Sequence, residues 1–247
     1  MAKIKVGDRF ESNNFGWFEV VEYNSYNNIT VEFIETGYVT NIGGVSIRRG
    51  SVKDRLYPSV HGVGFIGEGK YKPSIDRKHT KAYACWESML RRCYSKKFQE
   101  KRLTYKGCSV CEEWHNFQVF AEYYKGNYKE GSQLDKDLLL KGNKVYSQDT
   151  CVFVPSNINT FIIKCEARSG KCKVGVCLRV GRKSKPYMSK INNNTGKRLY
   201  LGYFSTEEEA YQAWLTAKLS QALEYKPEMD EIDLRIYPNV VEIIKEM

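Results

Sequence analysis

Between Lys5 and about Gly69 the apolar and polar positions alternate with period two. The segments "WFEVVEYN", "NNITVEFIET", "GYVTNIG" and "GVSIRR" are rich in β-branched and aromatic residues, and Asn, Gly and Ser interrupt them at strand-length intervals. This pattern predicts a small antiparallel β-barrel, SH3-like in size, over residues 1–69. The glycine-rich stretch "PSVHGVGFIGEGKY" at its end reads as a loop leading out.

From about Thr80 the period lengthens. In "TKAYACWESMLRRCY" the residues Tyr83, Trp86, Leu90 and Cys93 recur at helical spacing, which leaves Arg91 and Arg92 side by side at the helix end. A short strand is expected at "YKGCSVC". A second helix over "EEWHNFQVFAEYY" is expected to bury Trp114, Phe117, Val119, Phe120 and Tyr124. Aromatics in such a pattern are more often core than a platform for stacking bases.

A third regime opens near Ser169. "VGVCLRV", "YMSKIN" and "RLYLGYF" alternate as three strands, joined by turns at "GRKSKP" and "NNNTG". Thr206 then has the character of an N-cap, with Glu209 at the capping-box position and acidic residues in the first turn. The helix is expected to bury Ala210, Ala213, Trp214 and Ala217 against one face of the sheet, leaving the other face free. The acidic tail, residues 224–247, has an apolar periodicity at its end that allows it either to pack or to fray.

Charge sharpens this picture. The chain of 247 residues carries a formal net charge of +10, which favours polyanionic partners. The excess is local: residues 171–203 hold nine Lys or Arg and no acid, whereas residues 224–247 hold three basic and seven acidic residues. No apolar run is long enough to span a bilayer, and "MAKIKVGDRF" lacks the apolar segment of a secretory signal, so a cytoplasmic protein with no membrane partner is expected. Eight cysteines in a reducing compartment are read as thiols or metal ligands rather than disulfides.

The stretch "YLGYFSTEEEAYQAW", with the three strands before it, resembles the ethylene-response-factor (APETALA) type DNA-binding domain over about residues 171–222. The resemblance implies a sheet lying in the major groove of double-stranded DNA. By position it implies Arg179, Tyr187, Lys190, Arg198 and Tyr200 as base and sugar-phosphate contacts, with Arg182, Lys183, Lys185 and Lys197 as further cations and Arg91 and Arg92 as candidates from the earlier helix. Two tryptophans of that family are tyrosines here. Several of its arginine positions hold Val174, Cys177 and Asn192, so the preferred site is expected to differ.

"QLDKDLLLKGNKVYSQDTCVFVPSNIN" is similar to the metal-holding region of HNH-type nucleases, and "CWESMLRRCY" with "VCEEWHNFQVF" resembles the N-terminal half of phage HNH proteins. The combined resemblance, to phage HNH-type homing endonucleases that act in the bacterial host, covers about residues 80–222. It implies an α+β, multidomain chain with an HNH-like ββα module over 70–168, a three-stranded sheet packed on one helix over 169–223, and a C-terminal tail. A magnesium ion is implied on Asp135 and Asp137, with Asn157 or Asn159 at the final metal position and Asn143 orienting the loop. Where the family has its general-base histidine this chain has Lys136, leaving His79, His115 or an aspartate to supply the base.

Cys108, Cys111 and His115, joined by Cys93 or Cys85, have the spacing of half a zinc site, but isolated cysteines are more often small buried hydrophobes, and zinc is not expected. Two functions therefore stay open: a metal-dependent, sequence-selective DNA endonuclease, and a DNA-binding regulator or counter-defence protein that keeps an HNH-like scaffold. A homodimer and a protein partner for the N-terminal barrel are further candidate associations.

Overall fold

The computed structural model describes residues 3–162 and 172–247 of the 247. The chain divides into two compact units, one formed by residues 1–127 with 144–147 and the other by 128–143 with 148–247. The expected boundary at 168 lies outside the described residues.

The first unit begins with an antiparallel meander, β1 (Arg9–Ser12), β2 (Gly16–Ser25), β3 (Asn28–Phe33) and β4 (Val39–Ile42), hydrogen-bonded in that order. Alternation along β2 and β3 sends Phe18, Val20, Ile29, Val31 and Phe33 to one fully buried face. Ile4, Tyr38, Val52 and Ile47 of α1 (Gly44–Arg48) close over that face. The sheet does not form the closed barrel that the strand pattern suggested. Its edge strands β1 and β4 remain unpaired with each other, and helix and loop cover the apolar face instead.

A two-residue-per-strand hairpin, β5 (Ser74–Ile75) and β6 (Lys78–His79), leads into α2 (Lys81–Tyr94). Thr80 caps this helix by accepting from the Tyr83 amide, and Trp86, Met89, Leu90 and Cys93 form its buried stripe. α3 (Lys96–Lys101) follows. β7 (Ser109–Val110), where a short strand was expected, pairs in parallel with the later β9 (Val145–Tyr146). The second helix starts later than expected, as α4 (Phe117–Asn127), with Trp114 on a preceding 3-10 turn. Phe117 and Phe120 are buried, but Val119 is 42% exposed, because two residues from Phe117 along a helix is nearly the opposite side.

The second unit contains β8 (Ser132–Asp135) paired antiparallel with β10 (Val152–Pro155), which runs directly into α5 (Ser156–Phe161). Then come the three expected strands, β11 (Val176–Leu178), β12 (Tyr187–Asn192) and β13 (Arg198–Phe204), as an antiparallel sheet in sequence order. α6 (Glu207–Ile232) begins with the predicted capping box between Thr206 and Glu209 and runs 26 residues, through Pro227. It therefore continues past the expected end at 223. Its first half packs Ala210, Tyr211 and Trp214 under the sheet; its second half brings Ala222 and Met229 to Leu138 of the loop after β8, Val152 and Val154 of β10 and Ile158 of α5. The tail does not fray: α7 (Ile236–Lys245) inserts Ile236, Val240 and Ile244 into that same core. Among the described residues no helix is long and apolar enough to cross a membrane.

Candidate nucleic-acid interface

The sheet of the second unit has two chemically distinct faces. Tyr187 pairs with Phe204, Val176 with Ser189, and Ile191 with Leu199, and these positions face α6. The alternate positions face away from it: Cys177 beside Met188 and Tyr203, Lys190 beside Tyr200, and Asn192 beside Arg198. Tyr187, expected among the DNA contacts, is thus corrected to the helix side, where it packs in the core.

Gly175 fixes how closely this sheet approaches its helix. Its φ is +76°, and a Cβ there would meet the Trp214 ring at 2.0 Å. A bulge sets the other end: the register steps from Lys190 opposite Tyr200 to Ser189 opposite Gly202, leaving Leu201 as the extra residue, with Gly202 at φ +134°. As a result Tyr200 and Tyr203, three apart, share the outer face. Strict alternation along "RLYLGYF" separates them, so Tyr203 was not foreseen; the glycine beside it is the only trace of the bulge in the sequence.

The outer face is cationic and open. Arg179, Arg182, Lys183, Lys185, Lys197, Arg198 and Tyr200 are all exposed, and Lys190 is half-buried. Of the nine basic residues in 171–203, Lys171 lies outside the described residues and Lys173 is paired with Glu208; the remaining seven make no ion pair among the described residues. Two arginines are held in place by neighbours on the same face. Arg182 lies over the Tyr203 ring at 3.8 Å, and an Arg179 guanidinium nitrogen sits 3.4 Å from the Met188 sulfur. The β11–β12 loop is itself ordered by hydrogen bonds from the Arg179 amide to Pro186 O at 2.8 Å and from Arg182 Nε to Ser184 O at 3.2 Å.

The two arginines of α2 belong to the other unit and are not equivalent. Arg91 is exposed, with its guanidinium 5.4 Å from the Phe98 ring centre. Arg92 is half-buried, lies over Tyr105 and hydrogen-bonds the Tyr146 hydroxyl, so its guanidinium is engaged inside the first unit.

In the segment from β8 to α5 the polar side chains are engaged with one another and with the backbone. Asp135 Oδ1 accepts from the amides of Asp137 and Leu138, both at 2.8 Å, and burial pushes the Asp135 carboxyl above the ordinary carboxylate range. The Lys136 side chain is only 8% exposed; its ammonium donates to Asn143 O at 2.9 Å and pairs with Asp137. The Asn143 amide returns a bond to Lys136 O at 2.8 Å. Asn159 reaches Gln133 on β8 at 2.6 Å, while Asn157 turns to Glu228 and Tyr225 of α6.

These residues do not fit a magnesium ion as they stand. Asn157 and Asn159 are two apart on a helix and leave it in different directions. The carboxylate of Asp137 pairs with Lys136, whose buried nitrogen also donates to Asn143 O and so braces the loop. Among the described residues no group of three or more His, Cys, Asp or Glu gathers to hold a metal.

In the first unit, His115 Nε2 lies 3.1 Å from the Tyr94 hydroxyl, and His79 contacts the Tyr83 ring. Cys108 is buried, and burial pushes the Cys111 thiol up to about 11 and the Cys85 thiol likewise to about 11, so both keep their protons at neutral pH. Cys165 lies outside the described residues. No family model, curated protein or solved structure matches this chain.

Proposed function

We propose that this chain is a sequence-selective double-stranded DNA-binding protein that lays the outer face of β11, β12 and β13 into the major groove. The observation that carries the reading is the unpaired, exposed cationic face itself, backed by a helix whose acidic first turn is engaged with Lys173 and with its own cap. Cations without counter-charges repel one another at a cost to the free protein that an anionic ligand relieves. A three-stranded layer is of a size to enter the groove, where phosphates flank it on both sides.

The β8–β10 pair and α5 then serve as support: α6 packs its first half on the sheet and its later turns, with α7, on the strand pair and α5, so one helix links the two cores. Selection of bound duplexes from a randomised library, followed by sequencing, tests the proposal. Enrichment of a common motif supports it; failure to retain duplex in dilute buffer contradicts it.

Metal-dependent cleavage is a second reading, favoured by the strand–loop–strand–helix order with Asp135 at the end of its first strand. It requires Asp137 to leave Lys136 and Asn157 to leave Glu228. Incubation of supercoiled plasmid with Mg²⁺ or Mn²⁺, beside Asp135→Ala and Asp137→Ala, decides it: nicking lost in the variants supports cleavage, and no nicking under either metal removes it.

A further inference from the structure

The outer face of the sheet is banded rather than uniformly cationic. Arg179 and Arg182 stand at one end and Arg198 at the other, with Lys190 beside Tyr200. Between them lies an apolar and aromatic strip: half-buried Cys177, fully buried Met188 as its floor, Tyr203 at 39% exposed and Tyr200 at 66% exposed. The strip is held in shape, since Arg182 packs on Tyr203 and Arg179 on Met188. Phosphate contact accounts for the two cationic ends but gives no reason for apolar atoms held open to water between them.

Of the groups on the edges of base pairs, the apolar one is the C5 methyl of thymine, and it projects only into the major groove. The same position is filled in 5-methylcytosine. The minor groove offers no counterpart, and a purely phosphate-reading face gains nothing from the strip. We infer that the band formed by Cys177, Tyr200 and Tyr203 is the specificity determinant of this surface and reads C5 methyl groups of pyrimidines in the major groove. The inference rests on the DNA-binding reading above and goes further in naming the chemical group that is recognised.

Alternating A·T DNA and the same DNA duplex with deoxyuridine in place of thymidine (A·U) differ only in that methyl, and alternating G·C DNA duplexes with and without 5-methylcytosine give the complementary pair. Burying one methyl group raises affinity about fourfold, so contact with two makes the A·T duplex roughly 15-fold tighter than A·U. The full-length protein is expected to favour the methylated member of each pair at fixed salt. Tyr200→Ala, at an exposed position, should bring the A·T to A·U ratio towards one while leaving the salt dependence unchanged. Lys190→Ala should weaken both duplexes and keep the ratio. Equal binding of A·T and A·U with a normal salt dependence overturns the inference and leaves DNA binding standing; a ratio that survives both Tyr200→Ala and Tyr203→Ala also overturns it. Failure to bind any of the four duplexes overturns both.

Discussion

The Lys136 ammonium and the Asn143 side chain brace one loop from both ends: Lys136 Nζ donates to Asn143 O at 2.9 Å, and Asn143 Nδ2 donates to Lys136 O at 2.8 Å. Both residues are buried, so neither carbonyl has water as a substitute partner. Asn143→Ala should cost about 1–3 kcal/mol, the penalty of leaving a buried acceptor unmet. Hydrogen exchange should show the loss concentrated in the amides of residues 136–143. Unchanged protection there would mean the brace is not needed.

The carboxyl of Asp135 gives this loop a pH dependence. Its pKa is raised by burial in the folded chain, so the native state binds the proton more tightly than the unfolded one. The sign follows: stability is greatest with the group protonated and is lost as pH rises through the folded value. Asp135→Asn keeps an oxygen acceptor for the Asp137 and Leu138 amides and removes the buried charge. It should raise the melting temperature at about pH 7, with the advantage shrinking towards about pH 4, near the ordinary aspartate range. A lowered melting temperature at neutral pH would show that the charge itself is needed.

Ser189 lies fully buried between Val176 and Gly202, and its hydroxyl has no hydrogen-bond partner among the described residues. Ser189→Ala removes an unmet polar group with little change of volume and should stabilise the sheet by about 1–3 kcal/mol. Urea unfolding followed by fluorescence can read this. Trp17, Trp86 and Trp114 belong to the first unit, so the transition of the second is reported by Trp214 alone. Destabilisation would imply that the hydroxyl is satisfied within the folded protein.

Gly175 should tolerate no side chain. Gly175→Ala combines a left-handed backbone with a contact far inside van der Waals distance of Trp214, and a strained conformation alone costs about 1–3 kcal/mol. The expected result is a lower unfolding midpoint together with a red-shifted Trp214 emission.

What the sequence made legible was whatever period and caps determine. α2, the three strands β11 to β13, and the capping box of α6 all follow from local alternation and from Thr206 and Glu209. What escaped depends on distant partners. Strand alternation in the first 69 residues cannot say whether β4 returns to β1, and here α1 and Val52 cover the apolar face instead. The length of α6 is of the same kind: it runs on through Pro227, and its later turns are held by the core shared with α7. The candidate site was legible as composition, and its face assignment was not. The bulge at Leu201 and Gly202 moves Tyr203 to the outer side, and simple position matching put Tyr187 on the wrong one.

The central claim, that the exposed cationic side of β11 to β13 binds duplex DNA, is tested most directly by measuring the affinity of the full-length chain for a duplex oligonucleotide over a range of salt, beside Lys185→Glu and Arg198→Glu. Each phosphate contact contributes about −0.9 to the slope of log affinity against log salt, so the account predicts a steep negative slope that each substitution flattens. An affinity that does not change with salt, or one that both charge reversals leave intact, would contradict it.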